Sequence, residues 1–500
     1  MVFFILITSS LLYFFSYPEV DPDLWGHLFF GREILKGGEV PQQNIYSYTA
    51  PNHAWINHEW LAEVIFYGLF HLSGSPGLIL LKIAIGAGVV WTLDRIIRKR
   101  IVSPLARTLT LVWAMAILSP GFNVRPQLFT YFLFAVFLLL FYRHEEKERT
   151  TLYWAPLLTA FWVNLHGGFV AGLGALGVFS LWTAIRESRS GGITGQTVSQ
   201  AFIPLTLSLL FLALNPHGLE LVKFLWKDLL LDRPITEWEP IPLMDLSSLE
   251  FKLALLFVLI FSMRSHSWLR WDFILTVLAA LFAFRYQRHT PLFAIAAAPL
   301  LAEGLQRITR STDKGGRKIV WPFPSRWILA AGILGIALLQ MLWVGRIHLE
   351  HRLRLVVNPS EYPTQAADFL ERSGIRGNAA VPFDWGEYFI WKLYPKIRVS
   401  IDGRYTTAYP MEVIEDSWEW MSGGSRWRRL LEHYATQIAI TKRSHPVTAL
   451  LRKDPAWAYI YSDPIAFIFV KNDPGLGPLL ERFRGKKPLP PTSPPIYFPG

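Results

Sequence analysis

Apolar runs separated by short polar stretches dominate the first 345 residues. A helix needs about 17–25 residues to cross a hydrocarbon core of about 30 Å. Runs near that length occur at 2–17, 76–94, 104–119, 127–142, 151–163, 169–185, 200–214, 251–263, 272–284, 290–305 and 326–345. About eleven transmembrane helices are expected. The first, Val2–Ser16, reads as a retained span, since no basic segment precedes it and no small-residue cleavage site follows. Beyond residue 345 the pattern turns soluble. "PSEYPTQAADFLERSG" predicts a helix ending at Gly374. "NAAVPF", "IRVSIDGR", "TQIAITK", "WAYIYSD" and "AFIFVKN" predict strands, with helices near 385–392, 410–421, 426–434 and 446–453. The expected fold class is mainly α: a polytopic membrane domain (1–345) with a long first loop (18–75), followed by a C-terminal α/β domain (346–475) and a Pro-rich tail (476–500).

Composition agrees and narrows the function. With 52% hydrophobic and only 17% charged residues, the chain is too apolar for an ordinary soluble enzyme. Its 21 tryptophans suit bilayer interfaces. The net charge of +11 comes from short basic clusters between apolar runs. That distribution orients a membrane protein and argues against a nucleic-acid partner. The absence of cysteine excludes disulfides, thiolate metal sites and a cysteine nucleophile.

The basic clusters set an expected topology. "RIIRKR" (95–100), "YRHEEKER" (142–149), "RESR" (186–189), "RSHSWLR" (264–270) and "QRITRSTDKGGRK" (306–318) occupy alternate connections, so these loops face the cytoplasm. The N-terminus is then cytoplasmic and everything after about residue 346 extracytoplasmic. The remaining connections carry "DPDLWGH" and "NHEWLAE" (both within 18–75), "PGFNVRP" (120–126), "NLHGG" (164–168), "NPHG" (opening 215–250) and "FRYQRH" (284–289). Asn, His, Arg and carboxylates thus recur on one face. Taken singly, each cluster also reads as a helix-ending turn.

The stretch "DPDLWGHLFFGREILKGGEVPQQNIYSYTAPNHAWINHEWL", with "NVRPQLFT", "NLHGGF", "NPHG" and "IDGR", resembles bacterial polytopic proteins of the C-type glycosyltransferase (GT-C) superfamily, from about residue 18 to 472. The resemblance implies eleven or more spans, a long first outer loop with amphipathic helices and a soluble C-terminal domain. It implies transfer of a sugar from a polyprenyl-phosphate or -diphosphate carrier to an acceptor on the outer face of the cytoplasmic membrane. It also implies catalytic carboxylates in the first loop, at Asp21 and Asp23. The sequence lacks a WWDYG-type motif, which argues against protein N-glycosylation with a whole oligosaccharide.

Such a reaction needs a base beside the attacking hydroxyl or amine and positive charge at the leaving phosphate. Asp21 and Asp23 are the candidates for the base, with slight preference for Asp21; Pro22 between them fixes the backbone, so their side chains diverge. Helix capping is the plainer role for both. Arg125, Arg285, Arg288 and His289 are candidates for a lipid phosphate, or for snorkelling to ordinary membrane lipids. His58 and Glu59 are candidates for the acceptor or a divalent cation, although one His and one Glu are a weak metal signal. His166 and His217 suit sugar hydroxyls or turn-stabilising bonds. Asp402 and Arg404 read first as a local salt bridge. No Gly-rich phosphate cradle is found in the C-terminal part; "GGSR" (423–426) is a turn between helices.

Two other classes stay open. A lipid-linked saccharide transporter or flippase calls for polar residues deep in spans and internal repeats. Only Lys82 and Lys252 lie inside or near apolar runs, and no convincing repeat is visible. A non-catalytic scaffold binding an envelope partner has no need for polar clusters on five outer loops.

Overall fold

The computed structural model describes residues 1–146, 148, 150–190, 192, 194–228, 236–309, 326–473 and 496–500. Most of the expected tail (476–495), part of the last basic loop (310–318), and Lys147 and Arg149 of the second lie outside these residues. The chain forms two compact units, Met1–Tyr17 with Gly77–Leu353 and Pro18–Pro76 with Arg354–Gly500. The long first segment therefore groups with the C-terminal part of the chain.

In the first unit a helix occupies each apolar run: Val2–Phe15, Ser75–Ile97, Pro104–Leu118, Gln127–Glu145, Ala155–Trp162, Phe169–Ser190, Ile203–Phe211, Leu249–Arg264, Trp271–Arg285, Thr290–Thr309 and Arg326–His351. Among the described residues, five segments are long and apolar enough to cross a membrane: Ser75–Ile97, Gln127–Glu145, Phe169–Arg189, Gln287–Thr309 and Trp327–His351. The protein is a multi-pass membrane protein, and the other apolar helices are shorter than a full crossing. Local chemistry sets the ends. The Ser103 hydroxyl accepts the Ala106 N–H at 3.3 Å, and Pro104 opens the helix where its missing N–H costs nothing. Val2–Phe15 and Arg326–His351 pack together, and Ser9 Oγ donates to Gln340 Oε1 at 2.7 Å. Without water, such a bond satisfies groups that lipid cannot. Lys82, 2% exposed, donates from Nζ to the Tyr17 carbonyl at 2.6 Å, where that chain leaves the first helix.

The second unit is built on a five-stranded sheet. Its strands are β2 (Gly377–Ala380), β3 (Ile397–Val399), β4 (Ile438–Lys442), β5 (Trp457–Ser462) and β6 (Ala466–Lys471), and β1 (Val356–Val357) pairs separately with β7 (Ile496–Tyr497). The order is β3-β2-β4-β6-β5; the first two pairings are parallel and the last two antiparallel. In register, Ala379 faces Val399 on one side and Ile438 on the other. Helices at Thr364–Ser373, Gly386–Leu393, Met411–Ser422, Arg429–Glu432 and Val447–Leu451 fall where the α/β reading expects them. Gly423, at φ 66°, ends the third of them as a left-handed cap, which makes "GGSR" a helix-to-helix turn.

The segment 18–75 contributes two core helices, Leu24–Gly37 and Trp60–Ser73. Leu24, Trp25, Leu28, Phe29 and Phe30 are all buried, each stabilising the unit by about 1.5–3 kcal/mol. Gly31 makes the helix crossing possible, because a side chain there would collide with the Glu63 carbonyl. Between the helices the chain runs along the β3 edge. Tyr48 N–H donates to the Val399 carbonyl at 3.2 Å, and Ile56 N–H to Thr407 at 3.0 Å.

Candidate carboxylate site

The turn before the Leu24–Gly37 helix separates its two acids. Asp21 is buried, and its Oδ1 accepts the Asp23 N–H at 3.0 Å, while its carbonyl accepts that of Leu24 at 3.1 Å. This Asx-type turn starts the helix. Asp23 takes the N-cap position, but its side chain makes no capping bond. It points to Gly403 instead: an ideal Cβ on that glycine would lie 2.6 Å from Asp23 Oδ1 and 2.8 Å from Glu387 Oε1. The two carboxyl oxygens are therefore no farther apart than the sum of those distances.

Glu387 lies in the first turn of the Gly386–Leu393 helix and is 5% exposed. Its Oε2 has no hydrogen-bond partner among the described residues. Gly26 leaves it room, since a side chain there would strike this carboxyl. Burial, then the negative charges of Asp23 and Asp402, push the Glu387 carboxyl well above the usual carboxylate range. The loop that presents Gly403 is tied down by the Arg404 side chain next to it. Arg404 donates to Asp402 at 2.8 and 2.7 Å and to Asn44 Oδ1 at 2.9 Å, beneath Phe30, Trp55 and Tyr46. The local salt bridge read at "IDGR" is present.

A second buried pair stands one helical turn farther on. His27 Nδ1 lies 3.7 Å from Glu63 Oε1, and Asn57 donates to Glu63 Oε2 at 2.7 Å. Burial pushes Glu63 up, partly offset by His27 and Asn57. Burial alone would lower His27, but Glu63, Glu59 and Asp23 outweigh it, so the imidazole is raised. The pair thus favours holding a proton. His58 and Glu59 contact each other at 3.7 Å, and His58 Nδ1 lies 3.4 Å from the Ile56 carbonyl.

The other candidate residues belong to the first unit. Arg125 pairs with Glu237, while Arg288 lies 4.7 Å over the Trp238 ring. Backbone bonds from Gln287 to Glu239 (3.1 Å) and Ile241 to Phe284 (3.0 Å) stitch these segments together, so Arg125 and Arg288 belong to one cluster. Arg285 stacks on Tyr286 at 5.3 Å, and His289 contacts the same ring at 6.0 Å. His166 Nδ1 bonds the Thr130 hydroxyl at 2.8 Å and accepts the Gly168 N–H at 3.0 Å, a turn-stabilising arrangement. His217 N–H donates to Asn215 Oδ1 at 2.8 Å. Asn164 donates to the Leu214 carbonyl at 2.8 Å, which ties the "NLHGG" and "NPHG" turns.

Among the described residues, no three His, Asp or Glu side chains converge as a metal would require. Sequence reasoning missed Glu387 and Glu237. Glu387 carried little signal, because an acid in the first turn of a helix is ordinary.

No protein-family model matches the chain, and no curated protein matches its sequence. Solved structures do. The archaeal oligosaccharyltransferase AglB from Archaeoglobus fulgidus, in complex with an inhibitory peptide and a dolichol-phosphate, aligns with a TM-score of 0.56 at 9% identity, covering 94% of this chain and 74% of its own. The apo form of the Archaeoglobus fulgidus oligosaccharyltransferase gives 0.55 at 10% identity over the same shares. ArnT from Cupriavidus metallidurans, bound to undecaprenyl phosphate, gives 0.50 at 11%, covering 94% of this chain and 97% of its own. At these identities the likeness is one of fold: the chain shares the fold of these solved structures.

Proposed function

We propose that the protein is a membrane glycosyltransferase that moves a sugar from a polyprenyl-phosphate-linked donor to an envelope acceptor, with Asp23 as general base. The reaction runs at the outer face of the cytoplasmic membrane, with the N-terminus cytoplasmic and the C-terminal unit extracytoplasmic. The observation that carries this reading is the Asp23 carboxylate, which leaves its helix uncapped and turns to a buried acid in a chain that shares the fold of the archaeal oligosaccharyltransferase. Asp21 builds the turn, while an oxygen of Asp23 faces the buried Glu387 carboxyl across Gly403, so the base is assigned to Asp23. The neighbours' dolichol-phosphate and undecaprenyl phosphate support the donor class.

The acceptor's nucleophile attacks the anomeric carbon as the carrier phosphate departs, and Asp23 takes the nucleophile's proton. A single displacement of this kind inverts the anomeric centre. Arg125 and Arg288 are assigned to the donor phosphate, since guanidinium forks match phosphate oxygens. The transporter reading loses support from Lys82, which is engaged with the Tyr17 carbonyl.

The test is transfer from radiolabelled polyprenyl-phosphate sugars to membrane acceptors by wild type, Asp21→Asn and Asp23→Asn of matched thermal stability. Loss of at least about a hundredfold in Asp23→Asn, with a smaller effect in Asp21→Asn, is expected of a lost base. Full activity in Asp23→Asn removes the assignment, and no transfer by wild type from any donor removes the enzyme reading.

A further inference from the structure

Glu387 raises a question that a single general base does not answer. A buried carboxylate ordinarily collects hydrogen bonds, yet its Oε2 has none among the described residues. The charged groups facing it are Asp23 at the start of the Leu24–Gly37 helix, Glu63 on the Trp60–Ser73 helix, and Asp402 and Arg404 on the loop after β3. The one cation in that set is already committed to Asp402 through two bonds. Glycines at 26 and 403 let the Leu24–Gly37 helix and the loop after β3 come up against the Glu387 carboxyl, and a side chain at either position would collide with it.

We propose that Asp23 and Glu387 form a proton-sharing carboxyl pair that selects a hydroxyl acceptor, Asp23 receiving the proton of the attacking oxygen and Glu387 donating a hydrogen bond to it. This rests on the glycosyltransferase reading above. Two carboxyls this close do not both ionise readily. Glu387 is the enclosed member of the pair, and burial with the negative charges around it raises its affinity for the proton.

A hydroxyl oxygen has one proton and two lone pairs. Its proton passes to Asp23, one lone pair attacks the anomeric carbon, and the other accepts the Glu387 bond. An amine nitrogen has a single lone pair, and a bond from Glu387 would occupy the electrons that attack requires. In the step, the acceptor O–C1 bond forms and the C1–O bond to phosphate breaks. Its electron pair leaves on the phosphate oxygen, the hydroxyl proton ends on Asp23, and Glu387 keeps its own.

The experiment uses the full chain in lipid nanodiscs with radiolabelled undecaprenyl-phosphate hexoses and native membrane acceptors. Transfer is followed against pH, and the product linkage is read by mass spectrometry and NMR. An O-glycoside is expected, with wild-type activity declining at alkaline pH as Glu387 ionises. Glu387→Gln keeps a donor but has no proton to lose, so it should lower the rate less than about tenfold and abolish the alkaline decline. Glu387→Ala should lower the rate more than Glu387→Gln does, by about tenfold to a hundredfold, the scale of one lost hydrogen bond to a group that becomes charged. An N-linked product overturns the proposal. So does Glu387→Gln as inactive as Asp23→Asn at wild-type thermal stability, or Glu387→Ala with wild-type rate and pH profile. Infrared spectroscopy supplies a readout independent of transfer: a protonated carboxylic acid at neutral pH that disappears in Glu387→Gln. If that band is present but wild type transfers nothing, the pair stands and the transferase reading falls. If the band is absent from wild type, the pair is overturned whether or not transfer occurs.

Discussion

Arg404 grips Asp402 through two bonds, Nε to Oδ1 at 2.8 Å and Nη2 to Oδ2 at 2.7 Å, while its guanidinium lies 4.6 Å from the Trp55 ring centroid. Phe30, Tyr46 and Trp55 around the guanidinium come from the first segment, and Tyr409 and the carboxylate from the chain after β3. Removing the cation strands a fully buried acid. Arg404→Met should therefore destabilise the second unit by about 3–5 kcal/mol, seen as a lowered Tm of the detergent-solubilised protein. Arg404→Lys should also destabilise it, since an ammonium cannot reproduce the fork. A Tm within a degree of wild type for Arg404→Met would remove the anchoring role.

Two glycines that look alike in sequence should respond oppositely. Gly31 packs against the Glu63 carbonyl, so Gly31→Ala forces the helices apart and should cost about 1–3 kcal/mol. Gly68, inside the Trp60–Ser73 helix, has open space around its Cβ position. Gly68→Ala should stabilise by about 0.5–1 kcal/mol through helix propensity. Thermal unfolding of the two variants side by side checks both signs.

Stability should fall as pH rises. His27, Glu63 and Glu387 all have raised proton affinities in the folded state. Each contributes stability that is fully present below its unfolded pKa, about 4.3 for Glu and 6.5 for His, and is lost as pH climbs through the folded value. The Tm should thus decline over the window that opens at about pH 4.3 and extends above about 6.5. Glu63→Gln should flatten the slope, and an unchanged slope would show that the pair does not couple to folding.

The basic cluster of the first unit should govern donor affinity rather than the chemical step. Arg288→Ala should raise KM for the lipid-linked donor about tenfold to a hundredfold, the scale of one charge-assisted bond to phosphate, with kcat little changed. Arg125, already paired with Glu237, should show the same direction. An effect confined to kcat would move these arginines from binding to transition-state stabilisation.

Much of this molecule was legible before any coordinates. The apolar runs became helices because hydrophobic length and periodicity act locally, although only five segments reach a full crossing among the described residues. The strands and helices after residue 356 followed the alternation of their side chains, and Asp402 and Arg404 pair across two residues. Asp21 and Asp23 stood out because two acids around a proline are unusual beside an apolar span.

What tertiary structure alone decided is which distant surfaces meet. "LWGHLFFG" has the composition of an interfacial helix, yet it is a core helix, because Gly26 and Gly31 let Glu387 and the Glu63 backbone approach it. Arg125 and Arg288 converge through a Trp238 segment that no spacing rule connects to either. Glu387 is an ordinary first-turn acid in the sequence. Its chemistry comes from burial and from Asp23, and both depend on the packing of segments far apart along the chain, which local pattern does not encode.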